Sequence, residues 1–118
     1  MEKKETEKIV PRSMNGAQAW VKFGDELENR GEHVKAIELF DRALETAPGL
    51  AKAWHSKANA LEAMGRLGEA VQCYDVALQC DPLDAECLYN KGLALKKLGK
   101  AEEAASCMNS SVRSAMGA

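Results

Sequence analysis

The residues best suited to binding chemistry lie in two segments of the sequence, one around His55 and one around Tyr89. Lys52, His55 and Asn59 are spaced i, i+3 and i+7, which places them on one face of a helix. Asn59 and Asn90 can each donate and accept hydrogen bonds, so they suit the backbone of an extended peptide, while Tyr89 offers apolar contact. This combination favours recognition of a peptide or protein segment.

Signatures of catalysis are missing from the sequence. It contains no phosphate loop, dinucleotide fingerprint, nucleophile elbow or paired-His metal motif. His55, Ser56 and Lys57 are consecutive, so a helix directs them to different sides and they cannot act together. His55 has no second metal ligand in view along the chain, which argues against a metal site. We therefore expect neither enzymatic activity nor a cofactor.

Four cysteines fall within otherwise helical segments and form no Cys-x-x-Cys motif: Cys73, Cys80, Cys87 and Cys107. This pattern argues against zinc binding and against a disulfide framework, and it predicts buried or half-buried reduced thiols. Cys80 and Cys87 flank the turn at Pro82, so a redox-sensitive bridge between them remains an alternative.

Composition and charge narrow the class of protein. The chain has 118 residues, 46% of them hydrophobic and 29% charged, which is typical of one globular domain. A net charge of −2 gives no global attraction for nucleic acid or anionic lipid, and no segment is long and apolar enough to span a bilayer. The lysines at positions 91, 96, 97 and 100 could contact RNA or an acidic partner. They spread around their helix, however, which is more typical of a solvated surface. We expect a cytoplasmic protein without nucleic-acid or membrane partners.

The chain repeats itself with a period of 34 residues. The first two copies align at Trp20 and Trp54, Ala36 and Ala70, Phe40 and Tyr74, Ala43 and Ala77, and Pro48 and Pro82. A weaker third copy contains Leu88, Gly92, Leu95, Gly99 and Ala104 at the same offset. The repeats therefore span 17–50, 51–84 and 85–118, after a charged segment, 1–16, that we expect to be flexible.

Each copy predicts two helices separated by a turn. Apolar residues recur at helical spacing on both sides of Gly31, Gly65 and Gly99, and Pro48 and Pro82 end the second helices of the first two copies. Asp84 is placed to cap the helix that begins at Ala85. Small residues at 24, 58 and 92 should accept the large side chains at 40, 74 and 108 of the paired helix.

These residues resemble the tetratricopeptide repeat (TPR) family, whose pattern is matched in the first copy by Trp20, Phe23, Gly24, Leu27, Ala36, Phe40, Ala43 and Pro48. The third copy departs from the pattern at Ser111 and Met116, which replace its Ala and Pro. The resemblance implies an all-α, right-handed superhelix of three antiparallel helix-turn-helix repeats. It also implies a non-catalytic scaffold or adaptor whose ligand contacts come from the first helix of each pair, on the concave side.

On that surface we expect a partner to contact Lys52, His55, Asn59, Glu86, Tyr89 and Asn90. Some family members clamp the C-terminal carboxylate of chaperone peptides with Lys, Asn and Arg. The matching positions here are Val21, Asp25, Ser56, Glu86 and Asn90, and none of them carries the required residue. Asp25 and Glu86 would repel a carboxylate, so a ligand with a basic residue is favoured instead.

The last helix suggests an alternative role. The apolar columns that the first two copies offer to the next repeat, Ile37 with Leu44 and Val71 with Leu78, continue in the third copy as Ala105 and Val112. No further helix in this sequence covers them, and two methionines lie nearby. An assembly protein could therefore form oligomers through Ala105, Met108, Val112 and Met116.

Overall fold

The structure is a computed structural model that describes residues 16–117. Its helices are α1 (Gly16–Asn29), α2 (His33–Thr46), α3 (Ala51–Ala63), α4 (Leu67–Cys80), α5 (Ala85–Lys97) and α6 (Ala101–Ala115). Residues 16–117 contain no strand, and the predicted all-α superhelix of three helical pairs is confirmed. The prediction for segment 1–16 lies outside the described residues except at Gly16, which begins α1. None of these helices is both long and apolar enough to cross a membrane.

Glycine fixes the turn inside each repeat. Gly31 and Gly65 have φ values of +81° and +79°, a left-handed conformation that a side chain would strain, and Gly99 repeats it at +82°. One residue after each glycine, the backbone amide bonds back into the preceding helix: the amide of Arg66, for example, donates to the Leu61 carbonyl at 2.9 Å. The same backbone turn therefore recurs in all three repeats.

The two helices of a pair touch where a small residue faces a large one. A Cβ atom added to Gly24 would lie 2.5 Å from the Phe40 ring, and one added to Gly92 would lie 2.9 Å from Met108 Cγ. In the middle repeat, Ala58 and Tyr74 are both fully buried in one cluster. The predicted packing of large side chains onto small ones is confirmed.

Successive repeats are joined by apolar and ionic contacts. Ile37 of α2 packs against the core of the first repeat and that of the second. Lys57 reaches back to Asp41 at 2.7 Å, and Lys91 makes the same contact with Asp75 at 2.5 Å, so one ion pair recurs at both junctions. The resulting stack is elongated, with extents of 52 × 29 × 20 Å.

The third repeat is secured by polar groups at the start of α5. Asp84 caps this helix as predicted, because its Oδ1 atom accepts a hydrogen bond from the Cys87 amide at 3.0 Å. Ser111, which departs from the family pattern, donates from its hydroxyl to the Ala85 carbonyl at 2.7 Å. The substitution of Ser for Ala thus adds a tie between α6 and α5.

Enlarging the small partner in the middle repeat should destabilise the fold. Because Ala58 is fully buried beside Tyr74, Ala58→Leu overpacks the contact and should lower the free energy of unfolding by about 1 to 3 kcal/mol. Ala63→Leu, an exposed position of the same helix, should change it by less than about 0.5 kcal/mol. Urea denaturation of both variants measures the difference, and equal effects would contradict the packing account.

Candidate functional site

The first helices of the three repeats line a groove made of two adjoining pockets. The larger encloses about 560 Å³ and is lined by Asp25, Glu28, Asn29, Ala51, Lys52, His55, Ser56, Asn59, Asp81, Asp84 and Glu86. The smaller shares Asp25, Asn29 and Lys52 with it and adds Gln18, Val21, Lys22, Glu26 and Leu50. We call these two pockets together the concave groove.

Four of the six predicted contact residues line the larger pocket: Lys52, His55, Asn59 and Glu86. Asn90 joins them through hydrogen bonds to His55 and Asn59. Tyr89 lies outside both pockets and is 49% exposed. The structure therefore brings five of the six together, and the role of all six in binding stays a prediction.

His55 is held by three neighbours. Its Nε2 atom lies 3.0 Å from the Asn90 amide nitrogen, and its Nδ1 atom lies 3.4 Å from Asp84 Oδ2. Its ring and that of Tyr74 pack edge to face, with centroids 5.9 Å apart and an angle of 68° between the planes. With its side chain only 12% exposed, His55 forms part of the wall between α3 and α5.

Tyr74 fixes the orientation of Asn59. Its hydroxyl lies 2.6 Å from Asn59 Oδ1 and 2.9 Å from Glu62 Oε2, and Lys97 pairs with the other Glu62 oxygen at 2.8 Å. Burial raises the pKa of the Tyr74 hydroxyl, and the Glu62 carboxylate adds to the shift. Tyr74 thus stays neutral, and its hydroxyl can donate a hydrogen bond to either acceptor.

Sequence reasoning treated Tyr74 only as a core residue and missed its polar role. A signal was present, because Tyr74 replaces the Phe40 of the first repeat. A tyrosine in a buried phenylalanine position must find a partner for its hydroxyl. The partners, Asn59 and Glu62, lie on the paired helix α3.

Negative charge dominates the larger pocket. It is lined by five carboxylates, those of Asp25, Glu28, Asp81, Asp84 and Glu86. Among the described residues that line this pocket, Lys52 is the only Lys or Arg. Burial raises the pKa of the Asp25 carboxyl, although a hydrogen bond with Ser56 and the charge of Lys52 act in the opposite direction.

The cysteines differ widely in exposure. All four thiols are free; Cys73 and Cys87 are buried, Cys107 is intermediate and Cys80 is exposed. The prediction of buried or half-buried thiols is therefore wrong for Cys80. The Cys87 thiol donates to the Tyr74 carbonyl at 3.7 Å. Burial raises the pKa of this thiol to about 12, and the Asp84 carboxylate adds to the shift.

The structure also brings together potential metal ligands that sequence reasoning did not connect. One ligand atom from each of His55, Asp84 and Cys87 lies within 4.8 Å of the other two. The expectation that His55 has no second ligand nearby is therefore wrong. The three residues come from two repeats, and their approach depends on how α3 packs beside α5.

Sequence models of tetratricopeptide repeats match three successive parts of the chain, residues 17–59, 58–99 and 85–115. The chain belongs to the tetratricopeptide repeat family. No curated protein sequence matches this TPR domain.

Several solved structures share the fold of the TPR domain. MamA matches with a TM-score of 0.82 at 20% identity, over 86% of this chain and 60% of MamA. The Sgt2 TPR domain from Aspergillus fumigatus matches with 0.82 at 24% identity, over 88% and 71%. The second TPR of Spaghetti (RPAP3), bound to the HSP90 peptide SRMEEVD, matches with 0.80 at 21% identity, over 83% and 91%. The chain thus spans about three fifths of MamA, and these likenesses establish the fold.

Asp25 gives the site a testable dependence on pH. Its pKa in the folded state is raised above the ordinary 3.8, so the folded state binds this proton more tightly than the unfolded state does. The fold therefore loses stability as the pH rises from 3.8 through the folded-state pKa. Asp25→Asn cannot ionise and keeps an acceptor for Ser56. Its unfolding free energy should therefore exceed that of the wild type near pH 7, and this difference should vanish below pH 3.8.

Thermal or urea unfolding from pH 3 to 8 measures this difference, with Glu26→Gln, an exposed position on the same helix, as the control. A variant that is less stable than the wild type at pH 7 would show that Asp25 stabilises the fold as an ion.

Proposed function

We propose that this TPR domain is a non-catalytic protein-interaction module that binds an extended segment of a partner protein in the concave groove. The segment carries Lys or Arg side chains. The observation that supports this most directly is the charge of the larger pocket, where five carboxylates surround one ammonium group. A cationic side chain would relieve their mutual repulsion, whereas an anionic one would add to it.

The polar residues of the groove suit a peptide backbone. Asn59 uses its Oδ1 atom to accept from Tyr74, which leaves its amide nitrogen to donate to a peptide carbonyl. Asn29, which is exposed, lines the same pocket and provides a further donor and acceptor. Because Tyr74 already fixes Asn59, little side-chain entropy is lost when the partner binds. The pocket volume of about 560 Å³ is large enough for several side chains.

The charge of the groove distinguishes this domain from the RPAP3 domain of similar fold. The peptide bound to that domain, SRMEEVD, ends with two Glu and an Asp among its last four residues. Asp25 and Glu86 of this chain would face such a peptide with like charge. Two unit charges 4 Å apart interact with about 1 kcal/mol in water and more where water is excluded. We therefore assign this domain a basic ligand.

Charge reversal at the edge of the groove tests the proposal. A library of unstructured synthetic peptides of varied charge is bound to the domain, and the retained peptides should be enriched in Lys and Arg. Asp81→Lys combined with Glu86→Lys replaces two exposed groove carboxylates. We expect affinity for the retained basic peptides to fall about tenfold, equal to about 1.4 kcal/mol.

The matched control is Glu38→Lys combined with Glu103→Lys, which makes the same charge change at exposed positions of α2 and α6. This control should bind the basic peptides almost as the wild type does. Equal losses of affinity in the two double variants would show that the effect comes from net charge and not from the groove. Retention of acidic peptides by the wild type would contradict the proposed ligand.

A second candidate function is self-assembly through the last helix, which the exposure of α6 favours. Val112 is 59% exposed and Met116 is 78% exposed. Leu44 and Leu78, which precede Val112 by two and by one repeat, pack against the cores instead. Met108 packs onto Gly92 and contributes less to a free surface. A second copy of the chain could cover Ala105, Val112 and Met116.

Sedimentation velocity over a range of concentrations tests self-assembly. Under this alternative, the wild type forms a concentration-dependent oligomer and Val112→Glu is monomeric, because a carboxylate would be buried in the contact. Leu83→Glu, at an apolar residue that is 74% exposed in the turn before α5, should behave as the wild type does. A wild type that is monomeric at all concentrations excludes this function.

A further inference from the structure

We propose that His55, Asp84 and Cys87 form a binding site for a transition-metal ion, and that Zn²⁺ is the ion their donors fit best. The inference rests on the convergence of a nitrogen, an oxygen and a sulfur ligand within 4.8 Å of one another. It is independent of the proposed partner, because a free metal ion tests it without any peptide.

Two of the ligands are held by the start of α5. The Oδ1 atom of Asp84 accepts the Cys87 amide hydrogen at 3.0 Å, so the cap itself fixes the carboxylate. Its second oxygen, Oδ2, is thereby directed to His55, whose Nδ1 atom lies 3.4 Å away. Capping and metal binding thus use different oxygens of the same carboxylate, and the helix turn places Cys87 beside it.

The distances are close to those that zinc requires. Zn–N and Zn–O bonds of about 2.0 to 2.1 Å and Zn–S bonds of about 2.3 Å place tetrahedral ligands roughly 3.3 to 3.6 Å apart. The separation of 3.4 Å between His55 Nδ1 and Asp84 Oδ2 already lies in this range. The Cys87 sulfur lies within 4.8 Å of one ligand atom of each of these residues, so it must approach by about 1.5 Å at most. Rotation about the Cys87 side chain provides such a movement.

Binding requires the Cys87 thiol to release its proton to solvent as the Zn–S bond forms. A thiol is a weak donor, so the loss of its present hydrogen bond to the Tyr74 carbonyl, at 3.7 Å, costs little. Burial disfavours a bare thiolate here, but the ion supplies the compensating positive charge. Three protein ligands leave the fourth tetrahedral position of the ion for water.

The neighbours of His55 can support a metal on Nδ1. A neutral imidazole that ligates through Nδ1 carries its proton on Nε2 and must donate to an acceptor. Asn90 lies 3.0 Å from Nε2 and can offer its amide oxygen after rotation of the amide group. Asn59 keeps its hydrogen bond from the Tyr74 hydroxyl at 2.6 Å, and only the longer contact between Asn90 and Asn59, at 3.4 Å, is lost. Metal binding at Nδ1 thus requires the rotation of one amide group, that of Asn90.

The surroundings favour a cation and the donor set selects its type. Asp81 and Glu86 lie beside Asp84 in the acidic pocket and raise the local concentration of cations. A thiolate and an imidazole favour Zn²⁺ over Mg²⁺ and Ca²⁺, which prefer oxygen ligands.

Titration of the full chain with Zn²⁺ and with Co²⁺ tests this site. We expect binding of one ion per chain, a thiolate-to-cobalt charge-transfer absorption, and a higher melting temperature with Zn²⁺. Cys87→Ala should abolish the absorption and weaken binding at least tenfold, and so should His55→Ala. Cys87→Ala should fold, because Ala53 occupies the same buried position one repeat earlier.

The controls are Cys80→Ser and His33→Ala, which remove the same residue types elsewhere and should bind as the wild type does. Failure of the wild type to bind Zn²⁺ or Co²⁺ at one ion per chain would overturn the proposal. Unchanged binding in Cys87→Ala, or loss of binding in either control, would place the ion elsewhere and overturn it as well.

Discussion

The structure depends on the close approach of the two helices in each repeat. A side chain at Gly24 would collide with Phe40, and one at Gly92 would collide with Met108. This approach sets the distance between paired helices, and the apolar residues on the other side of α2 and α4 then set the distance between repeats. The first helices lie side by side as a result, and the concave groove forms between them.

In the middle repeat, the large residue of this packing contact also carries a polar group. Where the first repeat has Phe40, the second has Tyr74, whose hydroxyl emerges beside Asn59 and Glu62. His55 packs against the same ring and continues the network to Asn90 in the third repeat. The hydroxyl oxygen of Tyr74 therefore links the buried contact between α3 and α4 to the surface of the groove. This oxygen orients the amide group of Asn59.

Sequence periodicity predicted the helices and turns well because both depend on local residues, such as the glycines at positions 31, 65 and 99. The site was predicted less completely because its contacts cross between repeats. His55 and Asn90 are 35 residues apart, and their pairing depends on how α3 packs beside α5. Tyr89 follows the same column as His55 but lies outside both pockets, because no further repeat flanks α5 among the described residues. The convergence of Asp84 and Cys87 on His55 could not be predicted from a linear pattern for the same reason.

The central claim is that the concave groove binds a cationic segment. Nuclear magnetic resonance of the ¹⁵N-labelled domain tests it directly when a Lys- and Arg-containing peptide and its Glu- and Asp-containing counterpart are titrated in turn. The account predicts that the basic peptide shifts the amide signals of Asp25, Lys52, His55 and Glu86, and that the acidic peptide leaves them unchanged. Shifts confined to α2, α4 and α6, or equal responses to both peptides, would contradict it.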